Sequence, residues 1–164
     1  MSATLNVSAA RLRALLSYDA ETGDFRWLVN RTSNKVAGKL AGSIDNGYLR
    51  IGVDGRSYRA HRLAWLHTHG TWPMFCVDHI DGVKTNNCLA NLRDVTHNIN
   101  MQNQKRAQTN TESGILGVYP EGIRWKAVIS IHGKQTHLGT FDTPEQASTE
   151  YIAAKRLHHP GNTL

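Results

Sequence analysis

Apolar positions recur at helical spacing in some stretches of the chain and alternate with polar positions in others, which predicts a mixture of helices and short strands. Helical spacing is found near the N-terminus, behind the capping residue Ser8, and again over residues 60–69. Alternation on both sides of Asp54-Gly55, a strong turn signal, predicts a β-hairpin of residues 48–53 and 56–60. We therefore expect an α+β fold.

Two polar stretches interrupt this pattern and suggest how the chain is divided. Residues 30–46 are dominated by Gly, Ser, Lys and Asn, which predicts an exposed loop. Residues 105–112 have almost no aliphatic side chains and are predicted to form a linker. We therefore expect a first domain of residues 1–104, this linker, and a second domain of residues 113–164.

The second domain is predicted to be a small sheet covered by one helix. Residues 115–119, 125–131 and 136–141 have the composition of short strands and are separated by Gly-containing turns, which predicts a three-stranded antiparallel sheet. Thr143 to Gln146 has the pattern of a capping box with proline at the first helical position. The helix that begins there carries an apolar stripe that should pack on the sheet.

The candidate chemistry lies in Val77-Asp78-His79-Ile80-Asp81-Gly82, at the end of a short apolar strand. Adjacent side chains of a strand point to opposite faces, so Asp78 and His79 can share a site only where the strand ends or bends. Asp81-Gly82 supplies that bend. Downstream, Thr96 is a predicted N-cap for a helix of residues 97–104, which places Asn100 and Asn103 on one face.

A carboxylate from the strand and an amide oxygen from the helix suit a hard cation such as Mg²⁺. A neutral His79 can take a proton from attacking water near pH 7. The alternative is an ordinary strand-to-turn junction followed by asparagines that only cap turns and helices. The combination of these residue types at these spacings favours a nuclease-like site.

This constellation resembles the HNH endonucleases. Asp78-His79, Asn91 and Asn100 match the subgroup found in phage and intron-borne homing endonucleases, in which the third signature residue is Asn. The resemblance extends over most of residues 18–104. It implies a ββα-metal fold with one divalent cation, Mg²⁺ or Mn²⁺, held by Asp78 and Asn100. It also implies that His79 is the general base and that Asn91 orients His79 or fixes the loop around it.

Basic and polar side chains near this motif are the predicted DNA contacts of the first domain. Arginines on a β-ribbon can grip phosphates, although solvated strand charges need no partner, and both interpretations stay open. Arg62 is predicted to reach the scissile region, whereas a structural role is favoured for its neighbour His61. The predicted contacts are Arg50, Arg59, Arg62, Asn103, Lys105 and Arg106.

The second domain resembles the plant ethylene-response-factor type of DNA-binding domain over residues 113–158. The resemblance implies that the three-stranded sheet lies in the major groove. The first strand lacks the arginines expected of plant members, and the alternative is a small domain used for protein contacts. The positions implied on the DNA side are Tyr119, Arg124, Trp125, Lys126, Lys134 and His137.

Charge and cysteine content narrow the functional class. A net charge of +6 and a pI near 9.6 favour a polyanionic partner, which we expect to be double-stranded DNA. Cys76 and Cys88 lack the paired Cys-x-x-Cys spacing of zinc sites, so we expect no structural zinc. The sequence has no signal peptide and no apolar run of membrane length, so we expect a cytoplasmic protein of a bacterial or phage-infected cell, without a membrane partner.

These observations predict a metal-dependent DNA endonuclease that hydrolyses phosphodiester bonds. The alternative from another class is a noncatalytic DNA-binding protein on an HNH-like scaffold. The sequence leaves the target site, the number of strands cut and the oligomeric state open.

Overall fold

The computed structural model describes residues 6–30, 35–107 and 111–164. They form two compact units, Met1–Thr96 and His97–Leu164. In the described ranges, no helix is both long enough and apolar enough to cross a membrane. Helices and several small antiparallel sheets alternate along the chain, so the predicted α+β class is confirmed.

The described residues of the N-terminal unit form two α-helices and seven short strands, with a 3-10 turn at Leu89–Asn91. In chain order they are α1 (Ala9–Leu15), β1 (Leu16–Tyr18), β2 (Phe25–Trp27), β3 (Ser43–Asp45), β4 (Tyr48–Val53), β5 (Arg56–Arg59), α2 (Ala60–His69), β6 (Cys76–His79) and β7 (Leu92–Val95). The strands pair as a β1–β2 hairpin, a β3–β4–β5 sheet and a β6–β7 hairpin, all antiparallel.

Local sequence explains where the helices of this unit begin and end. The Ser8 hydroxyl accepts a hydrogen bond from the Arg11 amide at 3.2 Å, which caps α1 as the sequence predicts. Gly70, with φ of 79°, ends α2 in the left-handed conformation that glycine adopts without a steric penalty. Both helices contribute to one apolar core with β1, β2, β4 and β6. Its most deeply buried side chains include Leu12, Leu16, Phe25, Ile51, Leu63 and Leu66.

The predicted exposed loop of residues 30–46 contains a strand. Residues 31–34 lie outside the described residues, but β3 pairs with β4 from Ser43 opposite Arg50 to Asp45 opposite Tyr48. All three β3 residues are exposed, so β3 is held by backbone hydrogen bonds at the sheet edge and has no buried face. A strand without a buried face has no apolar alternation by which the sequence could reveal it.

The C-terminal unit contains α3 (His97–Gln102), β8 (Val118–Glu121), β9 (Arg124–Ile131), β10 (Lys134–Phe141) and α4 (Pro144–His158). The strands form an antiparallel sheet in the order β10–β9–β8. The capping box is present, since Thr143 and Gln146 each accept a hydrogen bond from the other's backbone amide. The predicted three-stranded sheet packed on one helix is therefore confirmed.

The core of this unit lies between the sheet and α4. Val118 and Ala127 are fully buried and Ile129 nearly so, against Ala147 and Tyr151 of α4. Gly117, with φ of 73°, lies directly under the Tyr151 ring, because a Cβ atom there would come within 2.0 Å of it. Only glycine meets both requirements at this position.

The segment after α3 is fixed to the end of the C-terminal unit. The Thr163 hydroxyl donates to Asn103 Oδ1 at 2.7 Å, the Gly161 amide donates to Gln102 Oε1 at 3.1 Å, and Lys155 Nζ donates to the Gln104 carbonyl. The two compact units divide after Thr96, before α3. The domain bounds predicted from the sequence, at residues 104 and 113, stay a prediction. Residues 108–110 of the predicted linker lie outside the described residues.

Candidate active site

Asp78 and His79 are the last two residues of β6, and both are buried, with 7% and 5% of their surface exposed. Asp78 lies directly opposite Arg93 of β7. Its Oδ2 accepts hydrogen bonds from Arg93 Nε at 2.9 Å and from Arg93 Nη2 at 2.8 Å. A buried carboxylate needs such a charged partner, so Arg93 holds Asp78 in a fixed orientation at the strand end.

His79 is held by the amide side chain of Asn87. His79 Nε2 lies 3.2 Å from Asn87 Oδ1, while Asn87 Nδ2 donates to the Thr85 carbonyl at 3.1 Å. A carbonyl oxygen only accepts, so the amide nitrogen faces Thr85 and the amide oxygen faces the imidazole. His79 Nε2 therefore carries the proton, and in the neutral ring the lone pair lies on Nδ1.

Asn87 is itself fixed by the β1–β2 hairpin. It is 2% exposed, and the Tyr18 hydroxyl donates to its backbone carbonyl at 2.7 Å. Gly23, with φ of 79°, packs against the same backbone, since a Cβ atom at that position would lie 2.4 Å from the Asn87 carbonyl carbon. The amide that holds His79 therefore has little freedom to move.

Asn91 fixes the loop between β6 and β7. Its Nδ2 donates to Asp81 Oδ1 at 2.9 Å and to the Asn86 carbonyl at 2.8 Å, and its Oδ1 accepts from the Asp81 amide at 2.9 Å. The family resemblance implied that Asn91 either orients His79 or fixes this loop. These contacts support the second role, while the contact to the imidazole comes from Asn87.

Asp81 is the acidic centre of that loop. Burial works to raise its pKa, but hydrogen bonds from the Val83 amide and from the Asn86 and Asn91 side chains outweigh burial, and the pKa of Asp81 is lowered. Asn86 Nδ2 donates to Asp81 Oδ2 at 2.7 Å. Asp81 is therefore an ionised anchor that holds the loop in place beside His79.

A second imidazole packs against His79. The His61 ring lies edge-to-face on the His79 ring, with 4.9 Å between the centroids, and only 3% of His61 is exposed. Burial, followed by repulsion from His79, Arg59 and Arg62, lowers the pKa of His61 to about 3. His61 is therefore neutral at pH 7, and the structural role that the sequence favours for it stays a prediction.

The pKa of His79 is also lowered. Burial is the largest cause, and it is opposed by the hydrogen bond to Asn87 and by the charges of Asp81 and Asp78. A neutral imidazole accepts a proton, whereas an imidazolium does not. The surroundings of His79 thus favour the form that a general base requires.

The three predicted arginine contacts of the N-terminal unit have different surroundings. Arg50 Nε donates to Ser57 Oγ at 2.9 Å, and the guanidinium lies 3.5 Å from Asp45, so it is engaged within its own sheet. Arg62 lies over the Trp72 ring. Arg59 is exposed and lies over the Tyr48 ring, near the two imidazoles.

The other predicted site residues lie in the C-terminal unit. Asn100 is half-buried on α3, and Asn103 is 5% exposed and bonded to Thr163. Lys105 and Arg106 follow α3, Lys105 half-buried and Arg106 exposed. The convergence of Asn100 with Asp78 and His79 stays a prediction.

The sheet of the C-terminal unit has one face covered by α4 and one open face. Strand alternation places Arg124 and Lys126 on the open face, because Ala127 and Ile129 lie under α4. Trp125 packs against the core on the covered side, so it does not share the face of the other predicted DNA contacts. Four predicted DNA contacts on the open face are exposed or half-exposed: Tyr119, Arg124, Lys126 and His137.

Acidic groups neutralise part of this open face. Arg124 Nε lies 3.0 Å from Asp142 Oδ1, and Lys126 Nζ lies 3.7 Å from Glu121 Oε1. The Thr140 hydroxyl donates to Glu121 at 2.9 Å, and this hydrogen bond is the largest cause of the lowered pKa of Glu121. Glu121 is therefore ionised in the middle of the predicted DNA contacts.

Comparison with known proteins places the chain in a family. A family model described as HNH endonuclease matches residues 58–102. The DNA endonuclease I-HmuI of Bacillus phage SP01 is 32% identical over 136 residues, which is 73% of this chain and 76% of that protein. The chain belongs to the HNH endonuclease family. The predicted family and the predicted nuclease activity are thereby confirmed.

Two further relatives extend the comparison of this HNH endonuclease. Protein 3.8 of Escherichia phage T7 is 32% identical over 103 residues, which is 61% of this chain and 84% of that protein. An ethylene-responsive transcription factor-like protein of Arabidopsis thaliana is 37% identical over 54 residues, which is 32% of this chain and 24% of that protein. No solved structure matches the chain.

Two residues that hold Asp78 and His79 in place are not part of the HNH signature. Arg93 was not predicted, although its position directly opposite Asp78 follows from the hairpin register. Asn87 was not predicted because Asn86 and Asn87 stand side by side in the loop, and nothing in their spacing shows which of them reaches His79. Both residues act on signature side chains through hydrogen bonds.

Proposed function

We propose that this HNH nuclease hydrolyses phosphodiester bonds in double-stranded DNA with the help of one divalent cation. The observation that carries the proposal is the buried His79 imidazole, whose Nε2 lies 3.2 Å from Asn87 Oδ1, next to the Asp78 carboxylate. That contact fixes the direction of the imidazole at the end of β6. The DNA endonuclease of phage SP01 supports DNA as the substrate.

In this mechanism His79 Nδ1 accepts a proton from the water that attacks phosphorus in line with the leaving oxygen. The hydrogen bond to Asn87 favours the tautomer with the proton on Nε2. Nδ1 is then the nitrogen that accepts the proton. His61 restricts the motion of the His79 ring, and Arg93 restricts that of the Asp78 carboxylate. Less motion is then needed to reach the reactive geometry. By family resemblance, the products carry 3′-hydroxyl and 5′-phosphate ends.

The residues at this strand end fit a hard divalent cation. Arg93 bonds to Oδ2 of Asp78, and a carboxylate has about four lone-pair sites on two oxygens, so it can accept a second positive partner. The family resemblance implies that an amide oxygen joins the Asp78 carboxylate as the second protein ligand. We propose Asn100 for this role. When bound, the cation stabilises the negative charge that develops on the phosphate and the leaving oxygen.

A plasmid-nicking assay tests the proposed function. Supercoiled plasmid incubated with the protein and Mg²⁺ should convert to nicked or linear DNA, and chelation of the metal with EDTA should stop the conversion. Binding of the plasmid without cleavage in Mg²⁺, Mn²⁺, Co²⁺ or Ni²⁺ would instead identify a noncatalytic DNA-binding protein on the HNH scaffold.

The proposed amide ligand makes a prediction about metal preference. Asn100→Ala should raise the Mg²⁺ concentration needed for half-maximal cleavage by about tenfold, because it removes one oxygen ligand worth about 1.4 kcal/mol. Asn100→His should recover cleavage better in Mn²⁺, Co²⁺ or Ni²⁺ than in Mg²⁺, since imidazole suits softer metals. Titration of cleavage rate against metal concentration measures both effects.

Asn103→Ala is the matched control for this titration. Asn103 lies three positions after Asn100 and its Oδ1 accepts from Thr163, so its removal should lower stability rather than shift the metal requirement. A shift for Asn103→Ala with no shift for Asn100→Ala would mean that Asn103, and not Asn100, is the ligand.

We also propose that the open face of the C-terminal sheet contacts DNA. Its Arg124 and Lys126 side chains would bind phosphates or base edges, with Lys134 at the turn between β9 and β10. Their ion pairs with Asp142 and Glu121 must be exchanged for contacts to DNA. This competition lowers the affinity that the face can reach.

Removal of the competing acid should therefore strengthen binding. Glu121→Gln is expected to tighten DNA binding by about threefold, because it removes repulsion of the phosphates and releases Lys126. Fluorescence anisotropy with a short labelled duplex in EDTA measures the change. Glu145→Gln, the same substitution in the first turn of α4, is the control. Equal effects of the two substitutions would show that only net charge matters and that this face does not contact DNA.

A further inference from the structure

Two cationic side chains from different elements lie over one tyrosine ring beside the catalytic histidine. The Arg59 guanidinium carbon is 4.5 Å from the centroid of the Tyr48 ring, and Lys84 Nζ is 4.8 Å from it. Tyr48 begins β4, Arg59 ends β5, and Lys84 lies in the loop after β6. Arg59 and Lys84 are exposed, whereas Tyr48 is half-buried.

The Tyr48 ring connects these cations to the active site. Its centroid is 5.5 Å from that of the His61 ring and 6.2 Å from that of the His79 ring. The negative face of an aromatic ring attracts cations, so Tyr48 can hold both charges on a ring that neighbours His79.

Lys84 is guided to this position by the loop that carries it. Its stem lies along the turn between β3 and β4, because a Cβ atom at Gly47 would lie 3.5 Å from Lys84 Cδ. The loop is anchored by the hydrogen bonds that Asp81 makes with Asn86 and Asn91. The same anchor thus serves both the His79 surroundings and the position of Lys84.

The two charges lack an anion within the described part of the chain. There, neither Arg59 nor Lys84 forms an ion pair, whereas Arg11, Arg93 and Lys126 all do. Two like charges near one ring repel each other, and a phosphate bound by both side chains would offset that repulsion. An anion is the ligand that this arrangement favours.

We propose that Tyr48, Arg59 and Lys84 form a phosphate clamp that holds a backbone phosphate of the DNA next to the scissile bond. The proposal rests on the proposed function, since it assigns a subsite to the DNA of the same reaction. Arg59 supplies a planar pair of donors, Lys84 supplies a point charge, and Tyr48 holds both in place through its ring. The sequence predicted Arg59 as a DNA contact but neither Lys84 nor Tyr48.

The salt dependence of DNA binding tests the clamp. Each phosphate contact contributes about 0.9 to the slope of log affinity against log salt, which is about 3.5-fold in affinity between roughly 50 and 200 mM salt. Lys84→Met and Arg59→Met remove one charge each while they keep an apolar stem on the ring. Each variant should therefore lose about 3.5-fold less affinity than the wild type over this range. A short labelled DNA duplex in EDTA, checked to be intact on a gel, is the probe.

Lys39→Met is the matched control, because Lys39 is an exposed lysine of the same unit that carries no role in the clamp. It should leave the slope unchanged. Slopes for Lys84→Met and Arg59→Met equal to that of Lys39→Met would overturn the clamp. Failure of the wild-type protein to bind or cut DNA would instead overturn the proposed function.

Discussion

His79→Ala should slow DNA cleavage by about 10²- to 10⁴-fold, the range that a positioned general base typically contributes. DNA binding should stay within a few-fold of the wild type, because the neutral imidazole supplies no charge to the phosphate contacts. Cleavage is measured by single-turnover nicking of plasmid at saturating protein, and binding by fluorescence anisotropy in EDTA.

The matched control for this substitution is His158→Ala. His158 is the last residue of α4 and is exposed, so its removal changes the histidine count without touching the site. Circular dichroism should show equal folding of both variants. A His79→Ala protein that is folded and cuts at the wild-type rate would mean that another group activates the water.

Asn87→Ala should slow cleavage by about 10²-fold, although Asn87 lies outside the HNH signature. Without the amide oxygen, His79 Nε2–H loses its partner, and the proton distributes between the two ring nitrogens. A loss of the correct histidine tautomer lowers the rate of other hydrolytic enzymes by larger factors still, up to ~10⁴-fold. The affinity for DNA should be unchanged. The substitution should therefore lower the cleavage rate at saturating protein.

Nitrogen NMR of the imidazole separates this role from a general loss of structure. In the wild-type protein, the His79 Nε2 resonance should have the shift of a protonated nitrogen and Nδ1 that of an unprotonated one. In Asn87→Ala the two shifts should move toward each other. Asn6→Ala, an exposed amide of the same unit, is the control and should change neither shift nor rate. A wild-type Nδ1–H tautomer would contradict the assignment.

The elements around the site were predictable where a local signal exists. Asp54-Gly55 marks the β4–β5 turn, the Ser8 and Thr143 caps mark α1 and α4, and each of these was found as predicted. β3 escaped prediction because its three residues are exposed and carry no apolar alternation. The pattern of buried and exposed positions predicts a strand only when one face of that strand is buried.

The sequence also predicts some residues of the candidate site and misses others. Asp78, His79 and Asn91 were visible because their residue types and spacing match a known signature. Asn87 and Lys84 owe their positions to contacts that are distant in sequence, with Tyr18 in the first hairpin and with Tyr48 at the start of β4. A single sequence does not show which loop residue meets such a partner.

The hydrogen bond from Tyr18 to Asn87 spans 69 positions and connects the first hairpin to the residue that contacts His79. The segment that matches the family model begins only at residue 58. A fragment cut to that segment, or a graft of it onto another protein, would carry every signature residue and still leave Asn87 without its support. We therefore expect a fragment that lacks Tyr18 to cleave DNA more slowly than a protein that contains the first hairpin, because Asn87 would lose its support.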